Sequence, residues 1–350
     1  PDSLAVALAD SVSSHLVADV PVGVFLSAGL DSSTIAALAA EAQAGPLRTL
    51  TLGFEEFRGR LHDETPLAQS TAEFLGTDHR TRWIKREEFE TETARLMAAM
   101  DQPTIDGVNS YFVSKVAAEA GLKVALSGIG GDEMFAGYPA FRDIPRLVGA
   151  VGPFGRLPCL GRAVRRLAEP IVARLASPKY AGLIEYGSSY GGAYLLRRAL
   201  FMPWELPRVL DPEMARDGWR ELALLDALER TTAGIRSPRL RVTALEMTWY
   251  MRNQLLRDAD WAGMAHSVEI RVPLVDWTLL STLAPLLAGA TPPGKRDMAA
   301  TSKRPLPAAV LDRPKTGFMV PVHEWLARST TGPSERGLRG WARHVYAAFA

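Results

Sequence analysis

Two apolar segments that each run into a loop rich in glycine and serine constrain the fold of this chain most strongly. The first covers residues 22–26 and leads into loop 27–33, and the second covers 123–126 and leads into loop 127–132. An apolar run that ends in such a loop before a helical segment is typical of a strand–loop–helix unit. If the two strands are neighbours in a parallel sheet, both loops leave the same carboxyl edge, where open α/β sheets bind ligands.

Strand and helix segments alternate through the first part of the chain. Strands are predicted near 20–26, 48–54, 79–84 and 122–127, and helices near 34–44, 65–75, 87–99 and 109–120. This alternation predicts an α/β fold with a doubly wound parallel sheet. After Tyr138 the sequence changes to helical runs rich in Leu, Ala and Arg, so we predict a core domain over 1–145 and a mostly helical region over 146–350.

The first loop has the composition of an anion-binding turn. It precedes a helix, whose first N–H groups lack intrahelical partners and whose dipole attracts anions. Ser27, Ser32 and Ser33 add hydroxyl donors, and the absence of a lysine excludes a Walker A loop. The better match is the pyrophosphate-binding loop Ser-Gly-Gly-x-Asp-Ser, which predicts ATP cleavage between the α- and β-phosphates. The alternative is an ordinary capped turn.

The second loop carries three glycines and Asp132. Glycine permits close backbone approach to a ligand. Together with Asp31 on the first loop, Asp132 is predicted to bind Mg²⁺, which usually takes one or two protein carboxylates plus phosphate oxygens. Here too the alternative is an ordinary glycine-rich turn with a capping aspartate.

A third glycine-rich segment, residues 289–295, has Walker spacing but fails as a Walker loop. Arg296 follows Lys295 where Ser or Thr is required, and Pro292 and Pro293 lack N–H groups. We expect Lys295 and Arg296 to form a solvated basic turn, with contact to substrate as the less favoured alternative.

Segments along nearly the whole chain resemble the synthetase domain of glutamine-hydrolysing asparagine synthetases, a family of pyrophosphate-loop ATPases. Besides the two loops, the matching segments are His62-Asp-Glu64, Leu75-Gly-Thr-Asp-His79, Met264-Ala-His-Ser-Val-Glu-Ile-Arg-Val-Pro273 and Leu306-Pro-Ala-Ala-Val-Leu-Asp-Arg-Pro-Lys-Thr-Gly-Phe318. The resemblance implies a fold like that of the adenine nucleotide α-hydrolases.

The resemblance also implies roles for individual residues. The implied ATP-binding residues are Phe25, Ser27, Gly29, Asp31, Ser32, Ser33, Leu52, Ser127, Gly128 and Gly130, the implied magnesium ligands are Asp31 and Asp132, and Lys315 falls on the catalytic lysine. The implied reaction has two steps. A carboxylate, which is the aspartate side chain in asparagine synthesis, displaces pyrophosphate to form an acyl adenylate, and ammonia then displaces AMP.

The chain departs from the family pattern at several positions. Ala28 replaces the second residue of Ser-Gly-Gly, Ile129 and Asn253-Gln254 stand where acidic residues are frequent, and Trp261 stands where Arg or Lys is usual. These changes keep two alternatives open. One is a relative that activates another carboxylate, of the β-lactam synthetase or peptide cyclase type, and the other is a nucleotide-binding module without catalysis.

The glutaminase half of the family, whose nucleophile is an N-terminal cysteine, is not expected in this chain. The sequence starts Pro1-Asp-Ser and has one cysteine, Cys159, so the chain is interpreted as a fragment that takes ammonia from solution or from a glutaminase domain or partner. A net charge of +1 gives no reason to expect nucleic acid or membrane as partners. The single cysteine fits a cytoplasmic protein, and the sequence is compatible with a homodimer.

Overall fold

Five parallel strands form a single sheet in the computed structural model, which describes residues 2–154, 158–314, 320–321, 324–325 and 338–349. The strands are β1 (Val22–Phe25), β2 (Arg48–Phe54), β3 (Asp78–Ile84), β4 (Val124–Leu126) and β5 (Glu269–Arg271). Their order across the sheet is β3-β2-β1-β4-β5. The predicted doubly wound parallel α/β fold is therefore confirmed.

Helices precede, connect and follow the strands. The α-helices are α1 (Asp2–His15), α2 (Leu30–Ala42), α3 (Thr65–Leu75), α4 (Arg86–Ala99), α5 (Val108–Glu119), α6 (Gly131–Met134), α7 (Ala140–Val151), α8 (Pro158–Leu175), α9 (Leu183–Tyr186), α10 (Tyr190–Arg198), α11 (Pro212–Leu222), α12 (Leu224–Thr232), α13 (Pro238–Leu245), α14 (Leu256–Met264), α15 (Trp277–Leu287), α16 (Lys295–Ala299), α17 (Ala308–Leu311) and α18 (Leu338–Phe349). Short 3₁₀ helices cover Glu55–Phe57, Gly152–Phe154, Pro178–Gly182, Leu206–Arg208 and Pro273–Val275, and a π-helix covers Glu246–Leu255.

Two differences from the predicted elements affect the site. Helix α2 begins at Leu30 rather than near 34, so the first loop is shorter than predicted and its aspartate lies in the first helical turn. Strand β5 was not predicted, because its sequence Glu-Ile-Arg has no apolar run. It pairs in parallel with β4, with Val124 opposite Glu269, and thereby extends the sheet.

Alternating side chains along β2 pack in different environments, as expected for a strand covered on both faces. Leu50 and Leu52 belong to apolar clusters that include residues of α5. Thr49 and Thr51 alternate with them and are buried too. The Thr49 and Thr77 hydroxyls share a hydrogen bond, and Thr51 donates to the Leu26 carbonyl. A further cluster joins α2 and α3 to α16 and α17.

The described residues divide into two compact units, one from Pro1–Gly137 with Met251–Ala350 and the other from Tyr138–Tyr250. The first unit contains the whole sheet. The second is helical, and its buried Glu246 accepts hydrogen bonds from Arg198 and Tyr194. The chain passes from the first unit to the second between residues 137 and 138 and returns between residues 250 and 251. The predicted single domain boundary near residue 145 stays a prediction.

None of the helices in the described part of the chain combines the length and the apolar character that crossing a bilayer requires.

Candidate active site

The strand order reverses between β1 and β4, which makes this pair the topological switch point of the sheet. From β1 the chain adds β2 and β3 on one side, and it then returns to add β4 and β5 on the other. The loops that follow β1 and β4 consequently diverge, and such a crevice is the usual ligand site of an open α/β sheet. The in-register pairing of Val22 with Val124 and of Val24 with Leu126 starts both loops at the same level.

Hydrogen bonds within the first loop hold it in shape. The Ser27 and Ser32 hydroxyls lie 2.9 Å apart, the Ser27 N–H donates to Ser32 Oγ at 3.1 Å, and the Gly29 N–H donates to Ser27 Oγ at 3.1 Å. These two hydroxyls thus organise the turn, rather than standing free as ligand donors. The Ser33 hydroxyl is buried and makes no hydrogen bond with any described residue.

Ala28 fits this loop without backbone strain. Left-handed backbone outside glycine occurs in the described chain only at Ala136, Ala223 and Ser267. The cost of a left-handed alanine therefore does not arise at position 28.

Glycines in the second loop allow it to lie directly against the first. A Cβ at Gly128 would come within 2.9 Å of Asp31 Cβ and 3.0 Å of the Ser32 nitrogen, and a Cβ at Gly131 would overlap the Asp31 carboxylate. Gly130 has φ 97°, a conformation that favours glycine. Gly128 and Gly131 thus serve contact between the two loops, which brings Asp132 close to Asp31.

Lys295 joins the two aspartates. Its Nζ lies 2.8 Å from Asp132 Oδ1 and is also bonded to Asp31 Oδ1. The three side chains are only 15 to 20% exposed. Our expectation that Lys295 lies in a solvated turn was wrong, although its neighbour Arg296 is exposed as expected and pairs with Asp312.

The surroundings of Lys295 are adapted to its side chain. A Cβ at Gly137 would overlap Lys295 Cε and the Asp132 carboxylate, so glycine at 137 leaves the room that this ion pair occupies. Burial lowers the pKa of Lys295 from its ordinary value, and the charges of Asp31 and Glu133 oppose that effect. The result is a buried cation held by carboxylates from two loops.

The other predicted nucleotide contacts have different surroundings in the structure. Leu52 is buried in the core formed by β2 and α5, whereas Phe25 is half-buried at the end of β1. The Ser127 N–H donates to the Arg271 carbonyl at 2.8 Å. The nucleotide-binding roles of these residues stay predictions.

The predicted catalytic residue Lys315 lies outside the described residues. The chain that leads to it is held by an ion pair between Arg313 and Glu64, with 3.1 Å between nitrogen and oxygen and both side chains mostly buried. Glu64 precedes α3 and so follows the carboxyl end of β2. The segment before Lys315 is therefore attached at the edge of the sheet from which the two loops emerge.

A second polar cluster connects α14 to the segment that precedes α5. Asp258 is buried and accepts hydrogen bonds from Thr104 at 2.9 Å and from the Trp261 indole at 3.0 Å. Burial raises the pKa of Asp258 to about 6, and these two hydrogen bonds oppose the shift. Nearby, Gln254 donates to Asp106 at 2.9 Å.

Two residues that depart from the family pattern, Trp261 and Ile129, lie in different surroundings. Trp261 is buried and packs against Gly107, where a Cβ would overlap the indole ring, so it supports the turn before α5 from within the core. Ile129 lies in the second loop and is half-buried. Ile129 is therefore the better candidate for a direct effect on the substrate.

This fold and site define a class of protein, a parallel α/β protein with two glycine-rich loops at the switch point of its sheet. The family model for asparagine synthase matches residues 3–338. The chain belongs to the asparagine synthase family, which confirms the resemblance identified from the sequence.

Curated relatives agree with this assignment. The chain is 32% identical, over 96% of its length, to a putative glutamine-hydrolysing asparagine synthetase of Mycobacterium tuberculosis, of which it covers 52%. It is 30% identical, over 97% of its length, to the glutamine-hydrolysing asparagine synthetase 1 of Bacillus subtilis, of which it covers 51%. The chain thus spans about half the length of these relatives.

The close contact between the loops predicts that Gly128→Ala impairs nucleotide binding. The added methyl must displace backbone of the first loop, and such overpacking costs about 1 to 3 kcal/mol. We expect ATP affinity, measured by isothermal titration calorimetry, to fall at least about tenfold. Gly149→Ala is the matched control, because a Cβ there meets nothing within 4 Å, and equal ATP affinity in both variants would contradict the prediction.

The raised pKa of Asp258 predicts a pH-dependent stability. The folded protein retains a proton between the ordinary pKa of 3.8 and about 6, so the free energy of unfolding falls as pH rises through that interval. Asp258→Asn removes this contribution, which is at most about 3 kcal/mol. Urea unfolding measured from pH 4 to 7 should therefore show a shallower decline in the variant.

The control for Asp258→Asn is Asp260→Asn, an exposed position on the same helix, which should keep the wild-type profile. An identical decline in wild type and Asp258→Asn would show that the folded state does not retain this proton.

Proposed function

We propose that the protein is the synthetase part of an ATP-dependent amide-forming ligase, an asparagine synthase that activates the side-chain carboxylate of aspartate. One observation carries the proposal. Asp31 and Asp132 both contact the Lys295 ammonium at the switch point of the sheet, in a chain that belongs to this family. A nucleotide-binding module without catalysis would not require this paired arrangement.

ATP binds across the β1 and β4 loops in this proposal. Its phosphates lie at the N-terminus of α2, where the first N–H groups lack intrahelical acceptors. Phe25 and Leu52 are the proposed adenine contacts, and the backbones of Gly29, Ser127, Gly128 and Gly130 are the proposed contacts along the nucleotide.

The residues present fit a magnesium ion. One oxygen of Asp31 and one of Asp132 both contact the ammonium of Lys295. Carboxylate oxygens suit Mg²⁺, which completes its coordination shell with phosphate oxygens and water. Asp31 and Asp132 are therefore the proposed protein ligands, because both carboxylates reach the same position. When bound, the ion would neutralise phosphate charge and favour pyrophosphate as the leaving group.

The proposed reaction has two steps. An oxygen of the substrate carboxylate attacks the α-phosphorus, and the bond from that phosphorus to the bridging oxygen breaks to release pyrophosphate. Ammonia then attacks the acyl carbon, AMP leaves with the former carboxylate oxygen, and the nitrogen loses a proton. Lys315 is proposed to stabilise the charge that develops on the α-phosphate, a role in which a positioned cation is effective.

The ammonia would come from solution or from a glutaminase domain or partner, as in relatives named glutamine-hydrolysing. We place the reaction in the cytoplasm, which supplies ATP and keeps the single cysteine reduced. Association as a homodimer is compatible with this function.

A second candidate function is activation of a different carboxylate, as in the β-lactam synthetase or peptide cyclase type. Ile129 favours it, because it puts an apolar side chain in the loop next to Asp132 where an acidic residue is frequent in the family. Both candidates begin with formation of an acyl adenylate, and they differ in the carboxylate that is activated.

Exchange of labelled pyrophosphate into ATP tests the proposal and separates the two acceptors. We expect exchange with aspartate from a panel of carboxylates, and a loss of at least about 100-fold in Asp132→Asn while circular dichroism shows that the fold is intact. Exchange with another carboxylate would support the second candidate. An exchange rate in Asp132→Asn equal to that of the wild-type protein would contradict the metal assignment. The control is Asp260→Asn, which removes a carboxylate at an exposed position.

The ion pair before Lys315 predicts a separate effect on turnover. Glu64→Gln removes the charge that holds Arg313, so the lysine two residues later should be less well positioned. We expect turnover to fall about tenfold while ATP affinity stays within twofold. Glu73→Gln, at an exposed position on the same helix, should behave as wild type, and equal turnover in both variants would contradict the proposed positioning.

A further inference from the structure

Lys295 occupies the position between the carboxylates at which the proposed function places a metal. Its ammonium contacts Oδ1 of Asp31 and Oδ1 of Asp132 at the same time. Lys295 was rejected as part of a phosphate loop from the sequence, and residues 289–294 indeed lead into a helix of only five residues. The contact with both aspartates is therefore a feature of the tertiary structure.

The ammonium and a divalent ion would compete for the same carboxylate oxygens. Mg²⁺ binds oxygen at about 2.0 to 2.1 Å, so an ion on both Oδ1 atoms would lie within a few ångström of the present Nζ position. Like charges at that separation in a partly buried site repel strongly. A divalent ion bound between these oxygens would therefore displace the ammonium from its present position.

We infer that Lys295 is an exchangeable counter-ion, which neutralises Asp31 and Asp132 in the nucleotide-free protein and transfers to the phosphates of ATP when a metal takes its place. This inference rests on the proposed function. The transfer needs a long side chain that can move without moving the backbone. Lysine fits, because its compact ammonium is carried on a flexible four-carbon side chain. Gly137 leaves open the space next to Lys295 Cε.

The exchange makes metal and nucleotide bind cooperatively. Metal alone must displace Lys295 from the two carboxylates that pair with it, which is unfavourable for a mostly buried ammonium. Metal together with ATP gives the displaced ammonium a phosphate partner. Each ligand therefore raises the affinity for the other through the same lysine, as linkage requires.

The test is a Mn²⁺ titration of the full chain, followed by electron paramagnetic resonance, with and without an ATP analogue whose α,β-bridge is methylene. In the wild-type protein the analogue should tighten Mn²⁺ binding at least tenfold. In Lys295→Met, Mn²⁺ alone should bind at least tenfold more tightly than in wild type, and most of the effect of the analogue should be lost. Lys295→Gln should behave in the same way, which covers a failure of either variant to fold.

Arg296→Met is the matched control, because it removes one positive charge from the same helix at an exposed position. It should change Mn²⁺ affinity less than twofold. Equal or weaker binding of Mn²⁺ alone to both Lys295 variants would overturn the inference and identify the lysine as a permanent structural partner.

Asp132→Asn separates this inference from the proposed function. Loss of Mn²⁺ binding in Asp132→Asn, together with unchanged affinity in the Lys295 variants, would remove only the counter-ion role. Wild-type Mn²⁺ binding in Asp132→Asn would instead remove the metal site on which both depend.

Discussion

The parallel pairing of β1 with β4 is the constraint on which the rest of the site depends. Because Val22 lies opposite Val124, the two strands end together and their loops begin side by side. The chain makes these strands neighbours only by building β2 and β3 on one side before it crosses to the other. The crevice at this switch point thus results from the order of the strands, and the loops supply its chemistry.

Contact between the loops creates an electrostatic problem that the fold solves with a distant lysine. Two partly buried carboxylates close to each other repel, and each loses hydration. Lys295, which is 264 residues from Asp31 in the chain, provides the compensating charge. In the proposed function the same pair of carboxylates holds a divalent ion, and Lys295 compensates their charge when metal and nucleotide are absent.

The sequence predicted the two aspartates and missed the lysine for identifiable reasons. Asp31 and Asp132 follow recognisable strands, and the geometry of parallel sheets brings such loops to one edge. Lys295 follows a failed Walker pattern with two prolines, and nothing in the residues around it indicates a contact with loops far away in the chain. A comparable limit applies to Trp261, whose departure from the family pattern kept open a different substrate but whose indole lies in the core and donates to Asp258.

The sequence by itself determined the alternation of strands and helices, the parallel sheet and the two glycine-rich loops, because each depends on residues that are close together in the chain. Only the tertiary structure decided that β5 completes the sheet, that glycines 128 and 131 serve contact between loops, and that Lys295 lies between the aspartates. These features depend on packing between segments far apart in sequence, and local composition carries no record of which segments meet.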